Sequence, residues 1–262
     1  MPNLTGKTAI VTGSSGGIGR AISLKLAGAG ATVVCGDITE TASGGDTVST
    51  RDAIVQQGGR AEFVQVDVTD AAQVEGIVKF AVERFGRVDI MINNAGVATE
   101  SRNPQPIWSF EQAAWDRDIA INSTGVFLGC KYAAAQMVNQ EPLAGGDRGW
   151  ILNLASVMGL HAAPGISGYV ASKHAVMGIT KAAALDCAGF RVHVNALCPG
   201  YTDTAFIAGL TPEQRAVVER MHPFRGLGRA EDIANAALFL VSEENTWISG
   251  VGLAVDGGYT AI

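Results

Sequence analysis

The chain has 262 residues, of which 47% are hydrophobic and 17% charged, and its net charge is -6. That length supports one large core, while the acidic balance offers no electrostatic footprint for nucleic acid. No apolar run approaches the roughly 18 residues of a membrane span, so neither a nucleic-acid nor a membrane partner is expected.

The elements follow one another as short β-rich runs and helical stretches. KTAIVTG (7–13) reads as a strand running into a Gly-rich turn, and GIGRAISLKLAGAG (17–30) as a helix closed by Gly. ATVVCGD (31–37) is a second strand, 47–58 a helix and AEFVQVDV (61–68) a third strand. A long amphipathic helix is predicted over 71–86, a fourth strand over 88–96, a long helix within 110–138 and a fifth strand over 149–156. Residues 169–188 read as helix, 191–200 as a sixth strand, 229–242 as helix and 251–256 as a last strand. The segments 38–46, 97–109 and 139–148 are irregular, and 201–228 reads as loop with short helices. Gly-bounded strands alternating with helices imply right-handed βαβ units in a parallel sheet. The strands are apolar almost throughout, as helices on both faces require. The expected fold is therefore α/β, a Rossmann-type doubly wound sheet of about seven strands. One domain spans 1–262, with residues 201–228 as a lid over its site.

The scattered Cys35, Cys130, Cys187 and Cys198 form no Cys-x-x-Cys pair, which predicts buried, reduced thiols. The opening MPNLTGKTAIVTG lacks the apolar core and basic flank of a secretory leader. Together these predict a cytoplasmic protein. The four histidines show no metal-ligand spacing, so no metal is expected.

Between the first strand and the first helix stands TGSSGGIG, with Gly13, Ser15, Gly17, Ile18 and Gly19. The first glycine permits a sharp turn, the later ones let backbone approach a pyrophosphate, and amides at the helix start attract anionic oxygens. The T-G-x-x-x-G-x-G spacing resembles the short-chain dehydrogenase/reductase family. Asp37 ends the second strand, where a carboxylate accepts bonds from both adenosine ribose hydroxyls and repels a 2′-phosphate. No Arg or Lys stands in SSGG or CGDITE to bind such a phosphate, so NAD(H) is expected over NADP(H).

Further motifs carry the resemblance along residues 5–260. By it, Asp67 and Val68 contact adenine, and Asn94, Ala95 and Gly96 of NNAG flank the cofactor and brace the sheet. Pro199 and Gly200 lie beside the nicotinamide, the backbone at Thr202 binds its carboxamide, and Thr204 bonds carboxamide or phosphate. The family usually has an aliphatic residue where Thr202 stands.

Tyr169 and Lys173, in GYVASKHAVMGIT, lie one turn apart on a helix. A cation there favours the phenolate and pulls down a phenol pKa that starts near 10, as a general acid or base needs. The resemblance adds Ser156 as catalytic serine and Asn122 as the asparagine that positions a water on Lys173. It implies hydride transfer between a nicotinamide cofactor and a secondary alcohol or ketone, with Tyr169 as acid/base, Ser156 orienting the oxygen, and Lys173 also holding the nicotinamide ribose. Phe206, Ile207, Leu210, Met221 and Phe224 of the lid, with Met158, Leu160, His161 and Ile166, suggest an apolar or cyclic substrate. The alternatives are an isomerase or dehydratase on the same fold and a non-catalytic NAD-binding regulator. The family's habit and the two-sided apolar helices at 125–137 and 174–188 predict a homotetramer, with a dimer as second choice.

Overall fold

Seven parallel strands run in the order β3-β2-β1-β4-β5-β6-β7 in the computed structural model, which describes residues 2–261, side chains at 101 and 102 excepted. The strands are β1 (Thr8–Thr12), β2 (Thr32–Asp37), β3 (Arg60–Gln65), β4 (Ile90–Asn93), β5 (Gly149–Leu154), β6 (Val192–Pro199) and β7 (Gly252–Val255). The helices are α1 (Gly17–Gly28), α2 (Thr50–Gln56), α3 (Ala71–Phe85), α4 (Gln112–Asp118), α5 (Gly125–Met137), α6 (Ser167–Cys187), α7 (Pro212–Arg220) and α8 (Ala230–Leu240).

Alternate residues of each central strand enter different cores. Ile10, Met91 and Ile151 pack with α3, α5 and α6 on one face. Val11, Ile92 and Leu152 pack with α1 and α8 on the other. This is the three-layer arrangement in which apolar runs without alternation are stable, because both sheet faces are dry. The four cysteines are buried and free.

Local chemistry sets the ends. Asp70 caps α3, its Oδ1 accepting the Ala72 N–H at 2.8 Å, and Gly86 closes the helix at φ 87°, a conformation that costs glycine little. The helix read within 110–138 is divided. α4 passes into a π-helical turn, Ile119–Thr124, before α5, and such turns mark functional segments. The fourth strand is shorter than its pattern predicts because the amides of Asn94 and Ala95 turn to the Thr12 hydroxyl, at 3.1 and 3.2 Å. Asn93 and Asn153 face one another across β4 and β5, joined by a 2.8 Å hydrogen bond that continues to Thr180 at 2.9 Å.

The sheet order reverses between β1 and β4, so connections from these two strands leave in opposite directions. A crevice opens at their C-terminal ends, the place where open parallel sheets bind ligands. No helix among the described residues is long and apolar enough to cross a membrane.

Candidate active site

A cavity of about 760 Å3 occupies that crevice. Its floor is the turn after β1. Gly13 and Gly17 have φ of 65° and 51°. A Cβ on Gly19 would stand 2.1 Å from the Gly13 carbonyl oxygen and 2.4 Å from Asn94 Nδ2, so the first turn of α1 packs too closely for any side chain there. Gly17 faces the cavity, opposite Thr204, whose Cβ is 3.6 Å from where a Gly17 Cβ would lie. No side chain caps α1 at Gly16, which leaves its first amides available to an anion. Asn94 braces this turn, donating to the carbonyls of Thr12 and Gly13 at 2.9 and 3.0 Å.

Asp37 stands on the cavity wall at the end of β2. Its Oδ2 accepts the Ser15 N–H at 2.9 Å and its Oδ1 the Ile38 N–H at 2.8 Å, which orients the carboxylate and leaves a lone pair on each oxygen. The guanidinium groups around this end are engaged. Arg20 pairs with Asp46 at 3.1 Å and Arg51 with Glu40 at 2.8 Å. Ser15 itself is turned away from the cavity, its hydroxyl donating to the Thr39 carbonyl. Ile18, Asp67, Val68, Ala95 and Gly96 line the cavity, as do Pro199, Gly200, Thr202 and Thr204 farther along. Asp67 also folds back locally, its Oδ1 accepting from the amide and hydroxyl of Thr69 at 2.9 and 2.8 Å. Thr202 is buried and donates to the Gly200 carbonyl at 3.1 Å, so its hydroxyl is spent on backbone.

At the other end the structure brings Ser156, Tyr169 and Lys173 together. Ser156 follows β5 and caps the short turn Val157–Gly159, accepting the Met158 N–H at 3.1 Å. Its hydroxyl stands close enough to the Tyr169 phenol to favour the phenolate. Lys173, 4% exposed, donates to the Leu154 carbonyl at 2.7 Å and lies over the Tyr169 ring, 5.6 Å from its centroid.

Burial reverses the electrostatic expectation for this pair. It pushes the Tyr169 phenol up to about 12, against the lowering effect of the Ser156 hydroxyl. It also brings Lys173 down to about 8. A dry pocket penalises charge on both groups.

Asn122 is wholly buried in the π-helical turn, behind the cavity wall. Its amide donates to the Val97 carbonyl at 2.8 Å and the Ser172 hydroxyl at 3.0 Å, and its oxygen accepts the Val97 N–H at 2.8 Å. One lone pair on that oxygen is left for a water. Asn122 and Lys173 flank Gly96, where a Cβ would stand 3.2 Å from Asn122 Oδ1 and 3.5 Å from Lys173 Nζ.

Of the expected substrate wall, Met158, Ile166, Phe206, Ile207 and Leu210 line the cavity, joined by Val217 and Val218 of α7. The Phe206 ring lies 6.1 Å from that of Tyr169. Leu160, His161, Met221 and Phe224 do not line it, and His161 instead packs edge-on against Tyr259. Ile38 and Ser43 were not predicted to line the cavity. Ile38 directly follows Asp37 and could have been inferred from that position, whereas Ser43 reaches the Gly-rich turn only through the fold.

Comparison with known proteins agrees with this geometry. The family described as enoyl-(acyl carrier protein) reductase matches residues 13–260. A short-chain type dehydrogenase/reductase from Mycobacterium marinum superposes with a TM-score of 0.89 at 33% identity, covering 99% of this chain and 98% of that one. The chain belongs to the short-chain dehydrogenase/reductase family. Members are oxidoreductases that bind a nicotinamide cofactor. The cis-4-hydroxycyclohexanecarboxylate dehydrogenase of Sinomonas cyclohexanicum is 38% identical over 98% of this chain and 97% of its own length. A Beutenbergia cavernae protein described as an NAD(P)-dependent gluconate 5-dehydrogenase, with NADP bound at low occupancy, superposes with a TM-score of 0.87 at 33% identity, covering 99% of both chains. The uncapped amides of α1, the Gly17 cradle and the oriented Asp37 carboxylate fit a dinucleotide phosphate and ribose.

Proposed function

We propose that this short-chain dehydrogenase/reductase interconverts a secondary alcohol and its ketone, with Tyr169 as general acid/base. The reading rests on one observation. A phenol beside a serine hydroxyl, with a buried lysine over its ring, forms one wall of a cavity whose opposite end suits a dinucleotide. The bound nicotinamide supplies or receives the hydride. In reduction the Tyr169 phenol donates its proton to the developing alkoxide, and in oxidation the phenolate takes the hydroxyl proton. Ser156 orients the substrate oxygen and stabilises its charge. Lys173 has donors beyond the one spent on Leu154, and these hold the nicotinamide ribose. Its cation offsets the cost of phenolate in the dry pocket. Asn122 keeps the 96–97 segment in place and offers its free lone pair to a water on Lys173.

The substrate is apolar or cyclic. The walls formed by Met158, Ile166, Phe206 and Leu210 support an apolar contact surface, and the likeness to a cis-4-hydroxycyclohexanecarboxylate dehydrogenase supports the ring. The cofactor is NAD(H) in preference to NADP(H), because Asp37 would face a 2′-phosphate while Arg20 and Arg51 are already paired with acids. Residues 201–228, with α7, act as the lid. A homotetramer is supported by apolar side chains left exposed on the helices that flank the sheet, among them Phe127 on α5 and Leu185 on α6.

The test is a panel of cyclohexanols, linear secondary alcohols and polyols, with NAD+ and NADP+ compared by absorbance of the reduced cofactor. The reading expects net NADH formation, fastest with cyclic alcohols. Turnover only with polyols would overturn the substrate class. Conversion of substrate without net NADH would replace the oxidoreductase reading with an isomerase or dehydratase.

A further inference from the structure

Helix α6 carries both Tyr169 and Lys173, yet its cap residue Ile166 has no side chain able to accept from the helix's first amides. Glu100 does so from 69 residues away. It is buried in the turn Thr99–Arg102, and its Oε1 accepts the Tyr169 N–H at 2.8 Å. Asp118, at the end of α4 and wholly buried, accepts from the Thr99 amide and hydroxyl through Oδ1, at 3.2 and 2.6 Å. Its Oδ2 lies beside Gly168, 3.4 Å from where a Cβ would stand. The remaining oxygens, Glu100 Oε2 and Asp118 Oδ2, are both buried and bonded to no other described group, and the two carboxyls contact one another.

Two ionised carboxylates in that position would place like charges together in a dry site. One proton between them converts two orphaned acceptors into a hydrogen bond. It leaves a single negative charge at the positive end of a 21-residue helix.

We propose that Glu100 and Asp118 share one proton and act together as the positioning element for Tyr169, fixing the first turn of α6 and keeping the charge beside the phenol to one. The inference rests on Tyr169 being the acid/base. Among the described residues, the titratable groups acting on the pair are Tyr169 and Lys173 of α6. Thr99 and the Phe110 ring, which lies against Gly168, face it uncharged. Burial first, and then the bond to Asp118, raise Glu100 to about 7. The shared proton therefore leaves as pH rises through neutrality. A second negative charge then strains the α6 turn and opposes the phenolate.

The experiment compares wild type, Glu100→Ala and Glu100→Gln as full-length enzyme with cyclohexanol and NAD+, alongside NADH affinity and thermal unfolding from pH 5 to 8. The glutamine amide can accept the Tyr169 N–H and donate to Asp118. Glu100→Ala should lower kcat about ten- to a hundredfold, up to the scale of a catalytic group displaced by about 1 Å, with NADH affinity unchanged. Glu100→Gln should recover most of that loss and lack any inflection of kcat near neutrality. A carboxyl whose folded pKa is raised contributes full stability below its unfolded pKa and loses it up to its folded one. Wild type should therefore lose Tm relative to Glu100→Gln between pH 5 and 8. Glu100→Ala with wild-type kcat and pH profile, or Glu100→Gln as slow as Glu100→Ala, would overturn the positioning role. Parallel Tm curves would overturn the shared proton whatever the turnover. Tyr169→Phe in the same assay tests the reading beneath: rapid turnover there sinks the acid/base role, while the Tm comparison still judges the pair.

Discussion

Replacing Asp37 by Asn tests cofactor choice with little change of shape. The carboxylate accepts two backbone amides, from Ser15 and Ile38, and the asparagine oxygen can keep only one of them. That loss, about 1 kcal/mol, falls equally on both cofactors and cancels in their ratio. Two terms do not cancel. A charge-assisted bond to a ribose hydroxyl becomes a neutral one, a loss of about 1 kcal/mol for NAD+. Repulsion of a 2′-phosphate also disappears. For charges about 5 Å apart with an effective dielectric between about 20 and 80, that is roughly 1–3 kcal/mol in favour of NADP+. The ratio of kcat/KM for NAD+ over NADP+ should therefore fall by about 2–4 kcal/mol, or roughly thirty- to several hundredfold. Initial rates with both cofactors and one saturating alcohol measure it. A shift under about threefold, or a wild type that already prefers NADP+, would refute the electrostatic reasoning.

Gly19→Ala should weaken NADH binding and cost about 1–3 kcal/mol of stability, since its methyl would meet the Gly13 carbonyl and Asn94. Calorimetry and fluorescence titration would detect both effects, and a variant matching wild type in each would contradict the close-packed turn. Lys173→Met concerns the cofactor-free protein. Because burial lowers Lys173 to about 8, the unfolded chain binds more protons between that pH and the ordinary lysine range. Wild-type stability, relative to Lys173→Met, should rise as pH climbs from 8 toward 10. Denaturant midpoints measured across that interval check the sign, and a falling difference would mean that Lys173 is not held in a dry site.

Much of this architecture can be read from local pattern. The central strands are apolar and bounded by glycine, and most expected cofactor residues, Tyr169 and Lys173 of α6 excepted, stand at or after a strand's C-terminal end. Sheet order cannot be read from pattern, because the reversal between β1 and β4 is a tertiary fact. The π-helical turn at Ile119–Thr124 is equally hidden, since a single wide turn is too short to show a hydrophobic period of its own. Helix α7 was visible in outline: Thr211 and Gln214 form a capping box with Pro212 at the first position, a start signal within the lid. The Tyr169–Lys173 spacing is local and therefore legible, but its electrostatics are not. Both pKa shifts arise mainly from burial, which the folded chain alone creates. Glu100 and Asp118 lie in different elements from the helix they serve, and neither stands in any motif.

The most direct measurement is the single-turnover rate of Tyr169→Phe with NAD+ and a cyclic alcohol, with cofactor affinity determined in parallel. The account predicts NADH binding close to wild type and hydride transfer at least about a hundredfold slower, the usual scale for loss of an acid/base group. Transfer at near wild-type speed would contradict it.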